Sequence, residues 1–308
     1  MAGRPPKKIW DQFTEDSIDL TTAELAEQYK RHSRTIRDWR NFLAGKGYKV
    51  GRGYGIPTLE PRPRYNIPTL DKYEKLEGDA IVVGDLHLPF VKWKWASWLL
   101  KIAERFDIRR LLVVGDLLDA KALTYFPKKE AAVKWEVELR EAENFIDCMC
   151  DWFTEIIYCY GNHERNRIIA RFEGELTAER FGRLISTDSA LKVSPYSYVI
   201  LHTEAGKWRL THQRNYRKTP LSVAKNLCEM HLCHIMAHHQ HRMAQGFDAS
   251  GNFMLVDNGG LMDEEKMDWV MLEDRVMPKP TNGFTVIHRG RPYLFNSASD
   301  FRFWLGGD

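Results

Sequence analysis

The sequence predicts an α/β (α+β) body, in which strands and helices alternate before giving way to hairpins, preceded by a small all-α domain of helix-turn-helix type. Three observations carry this. Short apolar runs recur and each ends abruptly in a polar motif: 80–83 before Gly-Asp-Leu-His (84–87), 111–114 before Gly-Asp-Leu-Leu-Asp (115–119), 156–160 before Gly-Asn-His-Glu (161–164), and 235–237 before His-His-Gln-His (238–241). Stretches with apolar residues at helical spacing separate these runs. A Gly- and Pro-rich segment divides them from a basic head, so the expected domains are 1–45 (helix-turn-helix), 46–78 (linker) and 79–308 (body).

In the head, residues 9–16 make a first short helix. Residues 21–29 make a second, with Thr21 at its start and Leu25, Ala26 and Tyr29 on one face. Lys30, Arg31 and His32 break the pattern. Ser33 is the expected N-cap of a third helix over 34–43, whose Ile36, Trp39, Phe42 and Leu43 repeat at helical spacing until Gly45 ends it. Two helices joined by a tight turn, the second studded with Arg34, Arg37 and Arg40, fit helix-turn-helix geometry, and these arginines are the candidate DNA-binding residues. A three-helix protein–protein module is the competing reading. Beyond it come Gly45, Gly47, Gly51, Gly53 and Gly55, then Pro57, Pro61, Pro63 and Pro68, with few apolar residues among them.

In the body the expected order is strand 80–84, helix 92–106, strand 110–115, helix 130–153, strand 155–160 and a helical region over 164–186. Strands 197–201 and 207–211 then flank a Glu-Ala-Gly turn and helix 219–230 follows. Residues 247–255 contain an Asp-Ala-Ser-Gly-Asn turn, and 284–295 pivot on Arg289 and Gly290. Asp, His and Asn at the carboxyl ends of neighbouring strands share one crevice, where open α/β sheets bind ligands. Mixed carboxylate, amide and imidazole ligation without thiolate suits a hydrolytic site for two divalent metals.

Composition narrows the classes. With 44% hydrophobic and 28% charged residues, the 308-residue chain can bury a proper core. No apolar run is long enough to span a bilayer, and residues 1–8 lack the apolar segment of a signal peptide. Five cysteines without framework spacing argue for a reducing compartment, and Cys148 and Cys150 point different ways on a helix, which disfavours a zinc site. The expectation is a cytoplasmic protein with no membrane partner, its oligomeric state open with a homodimer among the options. Residues 1–64 carry 13 Lys and Arg against 8 Asp and Glu, whereas the remainder carries 32 against 34. The head rather than the body is therefore expected to meet a polyanion.

Taken in order, Asp85-x-His87, Gly115-Asp116, Gly161-Asn162-His163-Glu164, an isolated His212 and His239-x-His241 resemble the motifs of the calcineurin-like metallophosphoesterases, over roughly residues 79 to 300. More narrowly, the chain looks like a branch common in phage and prophage genomes, with an aromatic-containing loop after the second motif (118–126) and then a long charged helix. The head is similar to the homeodomain-like helix-turn-helix of recombinases and phage terminase small subunits. The resemblance implies two sheets packed face to face with helices outside and, for a phage-encoded protein, the host cytoplasm.

It also implies site roles. Asp85, His87 and His241 would hold one metal, Asn162, His212 and His239 the other, and Asp116 would bridge both. The ions implied are divalent, Mn first, with Fe, Zn, Co and Ni as alternatives, because neutral imidazoles favour these over Mg. His163 is the candidate acid for the departing alkoxide, Asp119 would orient an imidazole, His163 first, and Arg165 and Arg167 could hold phosphate oxygens. Two positions depart from the pattern: His238 and Gln213 stand where the family usually has glycines that allow tight backbone passage beside the metals. His202 competes with His212, which is preferred because it closes strand 207–211. His238 reads as a packed histidine, and His32, His231, His234 and His288 as structural or exposed.

The function expected is a two-metal phosphoesterase acting on nucleic acid, DNA first: a nuclease, nickase or end-processing enzyme targeted by its head. The alternatives are a phosphomonoesterase, protein phosphatase or cyclic-nucleotide phosphodiesterase with the head as an assembly module, or a DNA-binding regulator with a degenerate body. Fold analogy does not choose among them.

Overall fold

The computed structural model describes residues 4–50, 73–124, 133–172, 175–267, 270 and 279–306, and the chain divides into two compact units, Met1–Thr69 and Leu70–Asp308. In the first unit, α1 (Trp10–Asp19), α2 (Thr22–Gln28) and α3 (Ser33–Gly45) surround buried Phe13, Leu25, Ile36, Trp39 and Leu43. Thr21 starts α2 with a capping box: its Oγ1 accepts from Glu24 N at 3.3 Å while Glu24 Oε2 accepts from Thr21 N at 2.7 Å. The cap of α3 falls one residue before the expected Ser33. His32 Nδ1 accepts from Arg34 N at 3.2 Å, and Ser33 is already helical.

Arg40 also departs from expectation. Its guanidinium is buried and donates to Thr22 Oγ1 (2.8 Å), Ser17 O (3.1 Å) and Leu20 O (2.6 Å), closing the end of α1 against the start of α2. A residue repeated every third position slips about 60° round a helix at each step. Arg34 and Arg37 therefore stay exposed, but Arg40 arrives on the face of Ile36 and Leu43. It is a core residue and not a free contact for DNA.

The second unit contains β1 (Lys75–Glu77), β2 (Ala80–Val83), α4 (Trp93–Phe106), β3 (Arg110–Val114), α5 (Trp135–Cys150), β4 (Glu155–Cys159), α6 (Ala178–Ile185), β5 (Leu191–Ser194), β6 (Tyr198–Thr203), β7 (Gly206–Thr211), α7 (Ser222–His231), β8 (His234–Ala237), β9 (Ala244–Phe247), β10 (Met254–Asp257), β11 (Gly283–His288), β12 (Arg291–Asn296) and α8 (Phe301–Leu305). Two mixed six-stranded sheets form, ordered β1-β6-β7-β8-β10-β9 and β12-β11-β2-β3-β4-β5. Strand alternation sorts the apolar runs into layers. Ile81, Val83, Leu111, Val113, Ile156 and Tyr158 face α4, α5 and α6. Their neighbours Val82, Leu112, Val114, Ile157 and Cys159 face Val199, Leu201, Trp208, Leu210, Met236 and Val256 of the other sheet. Ile235, Ala237 and Leu255 pack beneath α7. Both faces of β2, β3 and β4 are covered, which is why those runs are apolar throughout.

Four boundaries differ from the sequence reading. Lys75–Glu77, expected in the linker, is a strand paired in parallel with β6. The helix expected at 130–153 is described from Trp135, and 125–132 lie outside the described residues, as do 51–72 of the linker. The region 164–186 is broken into a π-helical turn (Glu164–Ile168), a 3₁₀ turn (Ile169–Phe172) and α6. Residues 247–255 are the turn joining β9 to β10 together with the ends of both strands. Among the described residues no helix is long and apolar enough to cross a membrane.

Candidate metal centre

Five chain reversals place polar side chains at one end of the two sheets. Asp85 and His87 follow β2, Asp116 follows β3, Asn162 and His163 follow β4, His212 follows β7, and His239 and His241 follow β8. Asp85, His87, Asp116, His239 and His241 all have positive φ, between 49° and 73°. Left-handed backbone costs a non-glycine residue ~1–2 kcal/mol, so a cluster of such residues marks a site whose geometry outranks local comfort.

The ligand atoms converge. His212 Nε2 lies 3.2 Å from Asp85 Oδ1 and 3.3 Å from Asp116 Oδ2, and His241 Nε2 lies 3.0 Å from Asp85 Oδ1. His87 Nε2 stands 4.0 Å from an oxygen of each aspartate. Three groupings have the spacing of a metal site: Asp85, His87 and His241; Asp116, His212 and His239; and His87, Asp116 and His163. The first is the set expected for one metal, the second joins His212 and His239 of the other set to the expected bridge Asp116, and Asp116 recurs in the third. Asn162 Oδ1 and His239 Nδ1 are buried without a hydrogen-bond partner among the described residues. Unpaired buried polar atoms of this kind are costly, and divalent cations would satisfy them. His202 is exposed on β6, so His212 is the isolated histidine of the site.

Around these atoms the protein builds supports. Asp119 serves two histidines: its Oδ1 is 3.1 Å from His87 Nδ1, and its backbone carbonyl lies 2.8 Å from His163 Nδ1. The carboxylate thus goes first to His87, where His163 was expected, and His163 is held chiefly by the carbonyl. Arg167 donates to the same carbonyl at 2.7 Å, so it braces the site, whereas Arg165 is half-buried. Glu164, to which the sequence reading gave no role, accepts from the backbone amides of Gly161 (2.8 Å), Asp116 (3.0 Å) and Leu118 (3.1 Å). It ties the second motif to the third, and its place inside the Gly-Asn-His-Glu motif was the available signal.

Two glycines set the packing distance. A Cβ on Gly161 would sit 2.1 Å from Asp116 Oδ1, and one on Gly84 would sit 2.3 Å from His238 Nδ1. Gly84 therefore makes the room for the ring of His238, the residue that replaces the expected glycine. His238 is fully buried, 3.8 Å from Asp85 Oδ2, and Gln213 Nε2 donates to its carbonyl. Both departures from the pattern are accommodated by packing.

Charge follows the same layout. Burial pushes the Asp116 carboxyl up, but His163, His212 and His87 hold it well below the usual carboxylate range. Burial does the same to Asp85, and His241 and His212 overcome it. His163 is pushed down to about 4 by burial, which Asp116 only partly opposes, so its resting imidazole is neutral. Burial lowers His238 to about 3 and His239 to about 4. Burial lowers His212 and His87 too, but Asp85, Asp116 and Asp119 overcome it and raise both, so a cation binding here would displace their protons.

No protein-family model and no curated protein matches the chain. Among solved structures it is similar to Yfce, a phosphoesterase from E. coli, at 10% identity and a TM-score of 0.38, covering 68% of this chain and 87% of that one. It is similar to Vps29 of Chaetomium thermophilum at 11% identity and a TM-score of 0.39, covering 72% and 87%. It is also similar to the nuclease MPE of Pseudomonas putida at 14% identity and a TM-score of 0.29, covering 70% and 87%.

Proposed function

We propose that the body is a divalent-metal-dependent phosphoesterase of the calcineurin-like type that acts on nucleic acid, DNA first, and that the head is its DNA anchor. The observation that carries the chemistry is the convergence of Asp85, His87, Asp116, His212, His239 and His241 from both sheets, most of them on left-handed backbone. Asp85, His87 and His241 would hold one cation and Asn162, His212 and His239 the other, with Asp116 between them. The donor set of oxygen and imidazole without thiol fits Mn first, with Fe, Zn, Co and Ni as alternatives. When bound, the cations supply Lewis-acid polarisation of a phosphate ester and of the attacking water.

The chain's own residues do the rest. Asp119 fixes the ring of His87 and, through its carbonyl, the Nδ1–H of His163, which leaves His163 Nε2, 3.8 Å from Asp116 Oδ2, turned to the centre. In the resting neutral ring that nitrogen is bare; the negative charge of an arriving ester raises its basicity, so that it takes a proton from solvent and gives it to the leaving oxygen. Arg165 adds positive charge at the rim.

Burial of Arg40 favours one second reading, in which the head serves assembly and the body hydrolyses a smaller phosphate ester. An Mn-supplemented assay over supercoiled plasmid, single-stranded DNA, RNA and bis(p-nitrophenyl) phosphate separates the two. Cleavage of DNA supports the first reading. Turnover of the chromogenic ester alone supports the second.

A further inference from the structure

Between His212 and α7 the chain has no regular structure, yet it is tied down along its length. Gln240 Nε2 donates to Asn215 O at 3.2 Å, and Gln240 Oε1 accepts from Arg217 N at 3.2 Å. The Arg242 guanidinium donates to the carbonyls of Arg217 and Lys218, and Asp257 Oδ2 accepts from Leu221 N at 2.6 Å. Gln240, Arg242 and Asp257 are all buried, so three buried polar side chains are committed to one surface loop. Pre-organisation on this scale is expected where a ligand must be met in a fixed geometry.

What the loop presents is cationic and aromatic. Arg214, Arg217 and Lys218 are exposed, and half-buried Tyr216 stands edge-on to His239 with ring centroids 6.4 Å apart. Arg214 lies two residues beyond His212. A guanidinium carried on a pinned loop that begins at the metal centre is complementary to a phosphate, which arginine recognises through paired N–H donors.

We propose that Arg214 holds the phosphate next to the scissile one in a nucleic-acid strand, and that Tyr216 is the surface on which the intervening nucleoside stacks. This rests on the phosphoesterase reading above and narrows its substrate to a strand with at least one flanking phosphodiester. Base–aromatic stacking tolerates any sequence, so the clamp selects a polynucleotide without selecting its bases.

The test uses the full chain in Mn with p-nitrophenyl esters of thymidine mononucleotide and dinucleotide, in both polarities, so that the leaving group is constant. Wild type is expected to show a KM about tenfold lower for the dinucleotide in one polarity. Arg214→Ala and Tyr216→Ala, checked for unchanged melting temperature, are expected to bring that ratio to within about twofold of one, and Arg214→Lys to restore part of it. Equal KM values for the two esters in wild type, or a preference that survives in both alanine variants, overturns the clamp alone. Hydrolysis of neither ester, nor of bis(p-nitrophenyl) phosphate, overturns the phosphoesterase reading together with the clamp.

Discussion

His163 is held in place by a backbone carbonyl, and that decides how its removal will read. The Asp119 oxygen 2.8 Å from Nδ1 belongs to the main chain, so changing the Asp119 side chain disturbs His87 more than His163. His163→Ala is expected to keep its metals yet lose ~10²–10⁴-fold in rate on esters with poor leaving groups, and far less on an aryl ester. Steady-state rates on an alkyl and an aryl phosphodiester check this, and equal losses on the two assign His163 to positioning. Glu164 belongs to the same scale. It satisfies three buried amides, so Glu164→Ala is expected to cost ~2–4 kcal/mol of stability in urea unfolding. A loss below ~0.5 kcal/mol would show that the loops hold without it.

Among the elements, α3 and α5 each carry a charged residue that the core has claimed. Arg40→Ala is expected to destabilise the protein because it strands the carbonyls of Ser17 and Leu20, whereas Arg34→Ala with Arg37→Ala should leave stability alone. If the head is a DNA anchor, the Arg34/Arg37 double variant lowers the slope of log affinity against log salt by about two, one per lost phosphate contact. An unchanged slope in fluorescence anisotropy would assign the head to assembly. On α5, burial and then the nearby Asp119 push Glu138 up to about 8, although its Oε1 accepts from Lys121 N at 3.1 Å. A folded pKa above the unfolded value means that the folded state holds the proton more tightly. That stabilising contribution is complete below about 4.5 and is lost as pH rises through 8. Glu138→Gln is therefore expected to melt with wild type at pH 4.5 and at least ~4 °C above it at pH 8.5. A gap that stays constant with pH would contradict this.

Legibility in the sequence also divides by element. The motifs holding Asp85, His87, Asp116, Asn162, His239 and His241 could be located because each follows an apolar run, whereas His212 follows the mixed strand Lys207–Thr211, and the ligand roles themselves came from the resemblance. Strands β1 and β5 could not be located, since they are only 3 and 4 residues long and their pairing partners, β6 and β4, come from distant sequence. The arginine row on α3 misled because a three-residue repeat drifts around a 3.6-residue helix, carrying Arg40 into the core. Nothing local marks the loop after His212 as rigid, because Gln240 and Arg242 reach it from the segment after β8 and Asp257 from the end of β10.

At the scale of the whole molecule, two sheets exist to bring their strand ends together. Neither supplies the whole candidate set: Asp85, His87, Asp116 and Asn162 follow strands of one, and His212, His239 and His241 follow strands of the other. A centre built this way couples metal binding to the packing between the sheets, so metal-replete protein is expected to melt higher than the chelated form. The most direct measurement is the metal content of the intact chain after Mn loading and desalting, by elemental analysis, beside Asp116→Asn. The account predicts about two metal equivalents in wild type and at most one in the folded variant, with hydrolysis of every phosphate ester lost in the variant. Wild type that retains no metal, or Asp116→Asn that retains two equivalents and full activity, would contradict it.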